Sequence, residues 1–188
     1  MVLSRTRPIA ALALASIASA ALVLPVAAVN TVTQTINAGT RSASIADASL
    51  SAVSYSHSAQ SSTGTLVLTA DDSSGSGAGW NVTVQTSAFV YSGSFGGSNI
   101  PAANLSLTSA SAATMTAGEA VDVTGGPKVP ATLTPPVALD SARKTIQADA
   151  TFGEGTYTQD LGVSLSIPAQ SRVGTYTGTL TVTVAAGP

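Results

Sequence analysis

The segment Tyr176-Thr-Gly-Thr-Leu-Thr-Val-Thr-Val184 limits the fold more than any other stretch of the chain. Tyr176, Leu180, Val182 and Val184 fall on even positions, and Thr177, Thr179, Thr181 and Thr183 fall on odd ones. Side chains of a pleated strand alternate between faces with period 2, so this pattern predicts a half-buried strand. One side suits a core and the other presents a row of hydroxyls to water. β-Branched residues dominate both sides, as a pleated surface favours. Gly178 interrupts the apolar side, which predicts a bulge or a close neighbour there. Such a strand needs others to pair with it and another apolar face to cover it.

The rest of the chain supplies them in short pieces. Residues 30–45 alternate Val32, Gln34 and Ile36 against threonines before the turn residues Asn37 and Gly39, predicting a first strand at a sheet edge. Residues 49–56 alternate less regularly. Residues 64–70 set Leu66, Leu68 and Ala70 against Thr65, Val67 and Thr69. After the turn chemistry of residues 71–79, Trp80, Val82 and Val84 resume the pattern, so a hairpin is predicted. Leu105 and Leu107, then Val121 and Val123, are brief strand signals, whereas Pro127, Pro130, Pro135 and Pro136 predict loop. Ile146, Ala148, Ala150 and Phe152 share a face, and Val163, Leu165 and Ile167 alternate up to Pro168. Beyond the first residues no window carries an apolar period of 3.6. Short alternating segments between turn signals predict an all-β fold, an antiparallel β-sandwich of short strands with Gly/Ser/Pro-rich loops.

Residues 1–28 read as a secretory signal peptide. Arg5 and Arg7 form its basic start, residues 9–24 its apolar centre, and Val26-Ala27-Ala28 a small-residue cleavage site. Cleavage leaves a single domain at 29–188 with no apolar segment for a membrane. The chain has no cysteine, hence neither a disulfide framework nor a lipid-attachment thiol. Stability must come from the core, and a domain of about 150 residues buries roughly 68–70% of its unfolded surface. Setting aside Arg5 and Arg7, five basic residues face nine acidic ones, a balance that argues against a nucleic-acid partner.

Catalytic residues are scarce. His57 is the one histidine, the glutamates Glu119 and Glu154 are far apart in sequence, and no Gly-x-Ser-x-Gly elbow occurs, so no enzymatic activity is expected. Asp71 and Asp72, with Ser73 and Ser74, offer oxygen ligands for calcium, but the twelfth-position glutamate of an EF-hand loop is missing and a polar turn explains them as well. No metal and no cofactor are expected. Gly75, Gly77 and Gly79 precede a strand rather than a helix, unlike a dinucleotide fingerprint.

Two pieces of the chain carry a family resemblance: Trp80-Asn81-Val82 after a glycine-rich turn, and Tyr176, Leu180, Thr181, Val182, Val184 and Pro188 in the spacing Tyr-x-x-x-Leu-Thr-Val-x-Val-x-x-x-Pro. They resemble the WxL-domain family of bacterial cell-surface proteins, with its Trp-x-Leu and Tyr-x-x-x-Leu-Thr-Trp-x-Leu-x-x-x-Pro motifs. Val82 and Val184 stand where that family usually has leucine, and Val182 where it has a second tryptophan. The resemblance extends from about Leu50 onward. It implies an exported protein held non-covalently on peptidoglycan, often alongside other cell-surface proteins.

Two readings of Trp80 and Tyr176 remain open: contact with the wall, or core packing beside Val82, Val84, Leu180 and Val182 on their strand faces. In the second case Tyr91, Phe95 and Tyr157, set among glycines and polar residues, become the candidates for exposed sugar stacking. A different function class also fits: a structural subunit of a surface fibre or biofilm matrix, assembling by β-strand addition through residues 31–36.

Overall fold

The computed structural model describes residues 31–188. The expected signal peptide lies outside the described residues. Ile36–Pro188 form one compact unit. Residues 31–40 contain no strand, and Val32 and Ile36 are 99% and 91% exposed. The predicted first strand is therefore displaced. Alternation assigns faces to a segment but does not provide a partner, and pairing begins only at Arg41.

The described residues form eleven strands: β1 (Arg41–Ile45), β2 (Gln60–Asp72), β3 (Trp80–Thr86), β4 (Val90–Ser92), β5 (Leu105–Ala110), β6 (Thr114–Gly118), β7 (Val137–Ala138), β8 (Arg143–Ala148), β9 (Gly155–Ile167), β10 (Thr175–Thr177) and β11 (Leu180–Ala186). Among the described residues the sole helical piece is a 3₁₀ turn at Ala102–Asn104, and no helix is long and apolar enough to cross a membrane. Every ladder is antiparallel. One sheet runs β1-β2-β9-β5-β7, with β6 also on β9; a second runs β11-β3-β8; β4 and β10 form a two-stranded ribbon.

The expected hairpin between residues 64–70 and 80–84 does not form. β2 has both edges occupied, by β1 and β9, while β3 lies in the other sheet between β8 and β11. The intervening loop thus crosses between sheets. Gly75, Gly77 and Gly79 take φ of 62°, 60° and 70°, a region closed to most side chains, and they turn the chain across. Its start is pinned by Asp72, which accepts from Ser74 N at 2.9 Å and pairs with Arg41 at 3.0 Å.

Residues 49–56 form no strand, although Leu50 packs against the core. Val121 and Val123 flank a turn: Asp122 accepts from Gly125 N at 2.7 Å and Thr124 N at 2.8 Å, and these two bonds hold its carboxyl below the usual range. The proline-bearing stretch at 127–136 is loop, as expected, apart from a bridge between Lys128 and Gln147. The strand expected over 145–152 ends at Ala148.

Alternation holds best in the two longest strands. β2 buries Leu66, Leu68 and Ala70; β9 buries Tyr157, Gln159, Leu161, Val163 and Leu165. They join Leu105 and Leu107 from β5 with Trp80, Val82 and Val84 from β3 and Ile146 and Ala148 from β8 in one hydrophobic core, so the apolar faces of both large sheets share it. Removing that apolar surface from water is the main stabilising force. The period-2 alternation of the terminal segment also survives, in two parts: Tyr176 is half-buried in β10, and Leu180, Val182 and Val184 in β11, with Thr181 and Thr183 exposed. Gly178 separates the two strands. A Cβ there would lie 3.0 Å from the ring of Phe89, so the close neighbour anticipated from sequence is this aromatic.

Candidate functional site

The two motif pieces, distant in sequence, meet as neighbouring strands. Val82 is paired with Val184, Val84 with Val182, and Thr86 with Leu180. Trp80 opens β3 and is 1% exposed. Its ring packs at 6.1 Å on that of Tyr157, and its indole Nε1 donates to Gly153 O at 2.8 Å. Gly153 N in turn donates to Glu119 Oε2 at 2.8 Å, and the Tyr157 hydroxyl donates to Glu119 O at 2.7 Å. A side chain at Gly153 would meet Ala148 Cβ at 2.6 Å, and its φ of 80° already requires glycine, so the loop before β9 is fitted closely against the tryptophan. Trp80 and Val82 thus lie in the core. Leu180, Val182 and Val184 cover its edge, Thr181 faces solvent, and Pro188 is exposed just beyond Gly187, whose carbonyl accepts from Asn81 Nδ2 at 2.7 Å.

Tyr157 is not an exposed residue. It is 0% exposed, because the strand alternation that buries Leu161 and Val163 extends back to it. Burial first, then the carboxylates of Glu119 and Asp72, push its phenol up to about 12. Asp71 and Asp72 end β2 on opposite faces. Asp72 is 2% exposed and bound to Arg41 and Ser74, while Asp71 accepts from Ser73 Oγ at 2.8 Å and Thr156 Oγ1 at 2.6 Å. These protein partners occupy the oxygens proposed for calcium. Among the described residues no three His, Asp or Glu side chains gather as a metal site.

Tyr91 and Phe95 belong to a different neighbourhood. Tyr91 of β4 stands opposite Tyr176 of β10, with ring centroids 5.2 Å apart. The Tyr176 hydroxyl donates to Arg172 O at 2.9 Å. The Tyr91 hydroxyl donates to Val173 O at 2.9 Å and accepts from Phe95 N at 3.2 Å. Phe95, at the tip of the glycine- and serine-rich loop after β4, is 66% exposed. It borders a shallow trough of about 210 Å³ with Tyr55, Arg172 and Val173. His57 stands edge-on to Tyr55 at 5.3 Å.

Sequence reasoning reached Tyr91 and Phe95 in this group but missed Tyr55 and Arg172. The available signals were slight: Tyr55 and His57 sit alone among serines, and Arg172 is the one cation after Lys144. Loops distant in the chain bring them together, a convergence that no local spacing encodes.

A family model described as WxL domain surface cell wall-binding matches residues 27–188. No curated protein and no solved structure matches the chain.

Proposed function

The chain belongs to the family of WxL-domain surface proteins that bind the cell wall, and on that premise we propose that it attaches non-covalently to peptidoglycan and catalyses no reaction. Its place is the bacterial cell wall or cell surface. The observation that carries the proposal is the family match across residues 27–188. The shared core of the two large sheets supports reading the domain as a β-sandwich. We take residues 1–28 as a signal removed on export, leaving a single domain at 29–188. Other surface proteins are natural neighbours for it.

Because Trp80 and Val82 are buried, the motif supports the binding surface from beneath rather than forming it. The contact with the wall then falls to exposed side chains. Few of these are charged, so binding should withstand moderate salt, where screening weakens exposed ion pairs. The test uses the chain collected after export and incubated with purified sacculi stripped of teichoic acid. Saturable binding that falls less than about threefold between 50 and 300 mM salt is expected. No binding by the folded protein would end the cell-wall reading.

Assembly by strand addition has one observation in its favour: Val32 and Ile36 are exposed within a strandless segment of alternating pattern. Polymers that grow with protein concentration in the absence of wall material would support this second reading, whereas a monomer at all concentrations would count against it.

A further inference from the structure

The trough at Tyr55, Phe95, Arg172 and Val173 combines exposed apolar surface with a backbone fixed from behind. Phe95 is 66%, Val173 63% and Tyr55 48% exposed. An exposed aromatic on a loose glycine-rich loop would lose much of any binding gain in becoming ordered. Here the Tyr91–Tyr176 pair already binds the Phe95 amide and the carbonyls of Arg172 and Val173. Three of the four trough residues are thus positioned before a ligand arrives, which lowers the ordering cost of binding.

Charge supplies the second constraint. Arg41, Lys128 and Arg143 each have a carboxylate partner at 3.0, 2.5 and 3.7 Å. Arg172, like Lys144, has none among the described residues, although the chain is acidic overall. An exposed aromatic face accepts the C–H face of a sugar ring, and an unpaired guanidinium accepts a carboxylate through two parallel hydrogen bonds. The trough is also smaller than the roughly 300 Å³ at which drug-sized ligand sites begin, a scale suited to one ring.

The geometry points to this trough as the wall contact, where Phe95 and Tyr55 take one sugar ring of a peptidoglycan strand while Arg172 binds a carboxylate of the peptide attached beside it. This assignment rests on the cell-wall reading above. Tyr176 packs against the core, as one of its two sequence readings expects, and the assignment adds a positioning role: its hydroxyl holds the Arg172 carbonyl without touching the glycan.

The exported chain and its Phe95→Ala and Arg172→Gln variants are tested on teichoic-acid-stripped sacculi. A parallel set of sacculi has its carboxyl groups capped as ethanolamides by carbodiimide coupling. Both side chains are exposed, so each variant should melt with the wild type. Phe95→Ala should lower affinity about fivefold or more on either set of sacculi. Arg172→Gln should bind native and capped sacculi alike, at the level to which capping reduces the wild type. If capping weakens the wild type and Arg172→Gln by the same factor, or Phe95→Ala binds as the wild type does, the trough is overturned and the cell-wall reading stands. Absence of wild-type binding to any wall overturns both. Binding confined to a third set of sacculi that retain teichoic acid transfers the ligand to a phosphate polymer and overturns both the trough and the peptidoglycan reading.

Discussion

Thr145 and Gln159 are buried polar residues facing each other across the core. Gln159 Nε2 donates to Ser111 O and Thr145 O, both at 3.0 Å, yet Thr145 Oγ1 and Gln159 Oε1 have no partner. A buried hydroxyl without a hydrogen bond is destabilising, and valine has nearly the same shape. Thr145→Val should therefore raise stability by about 1 kcal/mol, read from the urea midpoint. Tyr157 makes a pH prediction. Its folded phenol keeps the proton to about pH 12, while the unfolded one loses it near pH 10. Between those values the unfolded chain releases a proton that the folded chain retains. The contribution is thus complete below pH 10 and is lost as pH rises toward 12, at about 1.4 kcal/mol per pH unit. Thermal midpoints from pH 9 to 11 should fall more steeply for the wild type than for Tyr157→Phe.

At the scale of elements, β11 tests whether alternation decides burial. Val184 is half-buried against the core and Thr183 is exposed. Val184→Asp should cost about 2 kcal/mol through desolvation of the carboxylate, and Thr183→Asp no more than about 0.5 kcal/mol, both read by chemical denaturation. A reversed order would mean that the strand is seated one residue out of register. Such alternating strands were legible in sequence: Leu66, Leu68 and Ala70, and again Val163 and Leu165, lie on the buried faces that period 2 assigns. Pairing was not legible. The glycine-rich turn after Asp72 looked like a hairpin, but whether neighbouring strands pair depends on which edges longer-range partners already occupy. β6 carried no signal because all five of its residues are exposed. Tyr157 misled because its neighbours Thr156, Thr158 and Gln159 make the start of β9 look polar, although Gln159 is itself buried and hydrogen-bonded. Phe95 was legible, since a lone aromatic in a Gly/Ser loop has little to pack on. The remainder of the trough arises from loops that meet only in the folded chain.

For the whole molecule, Ile36–Pro188 contain the complete described core. A chain beginning at Ile36 should melt within about 1 °C of one beginning at Val29, because residues 31–35 form no strand and are exposed. A large drop in the midpoint would show that this segment has a structural role. The three-stranded sheet has a further consequence. β3 is its centre, and its partner β11 comes much later, as the bond between Asn81 and Gly187, 106 positions apart, illustrates. Contacts over such spans form slowly because a long loop must close first. A chain passed outward amino end first therefore releases Trp80 well before the strand that flanks it emerges. For a chain delivered in that order, the sheet around Trp80 closes only once the late strand arrives.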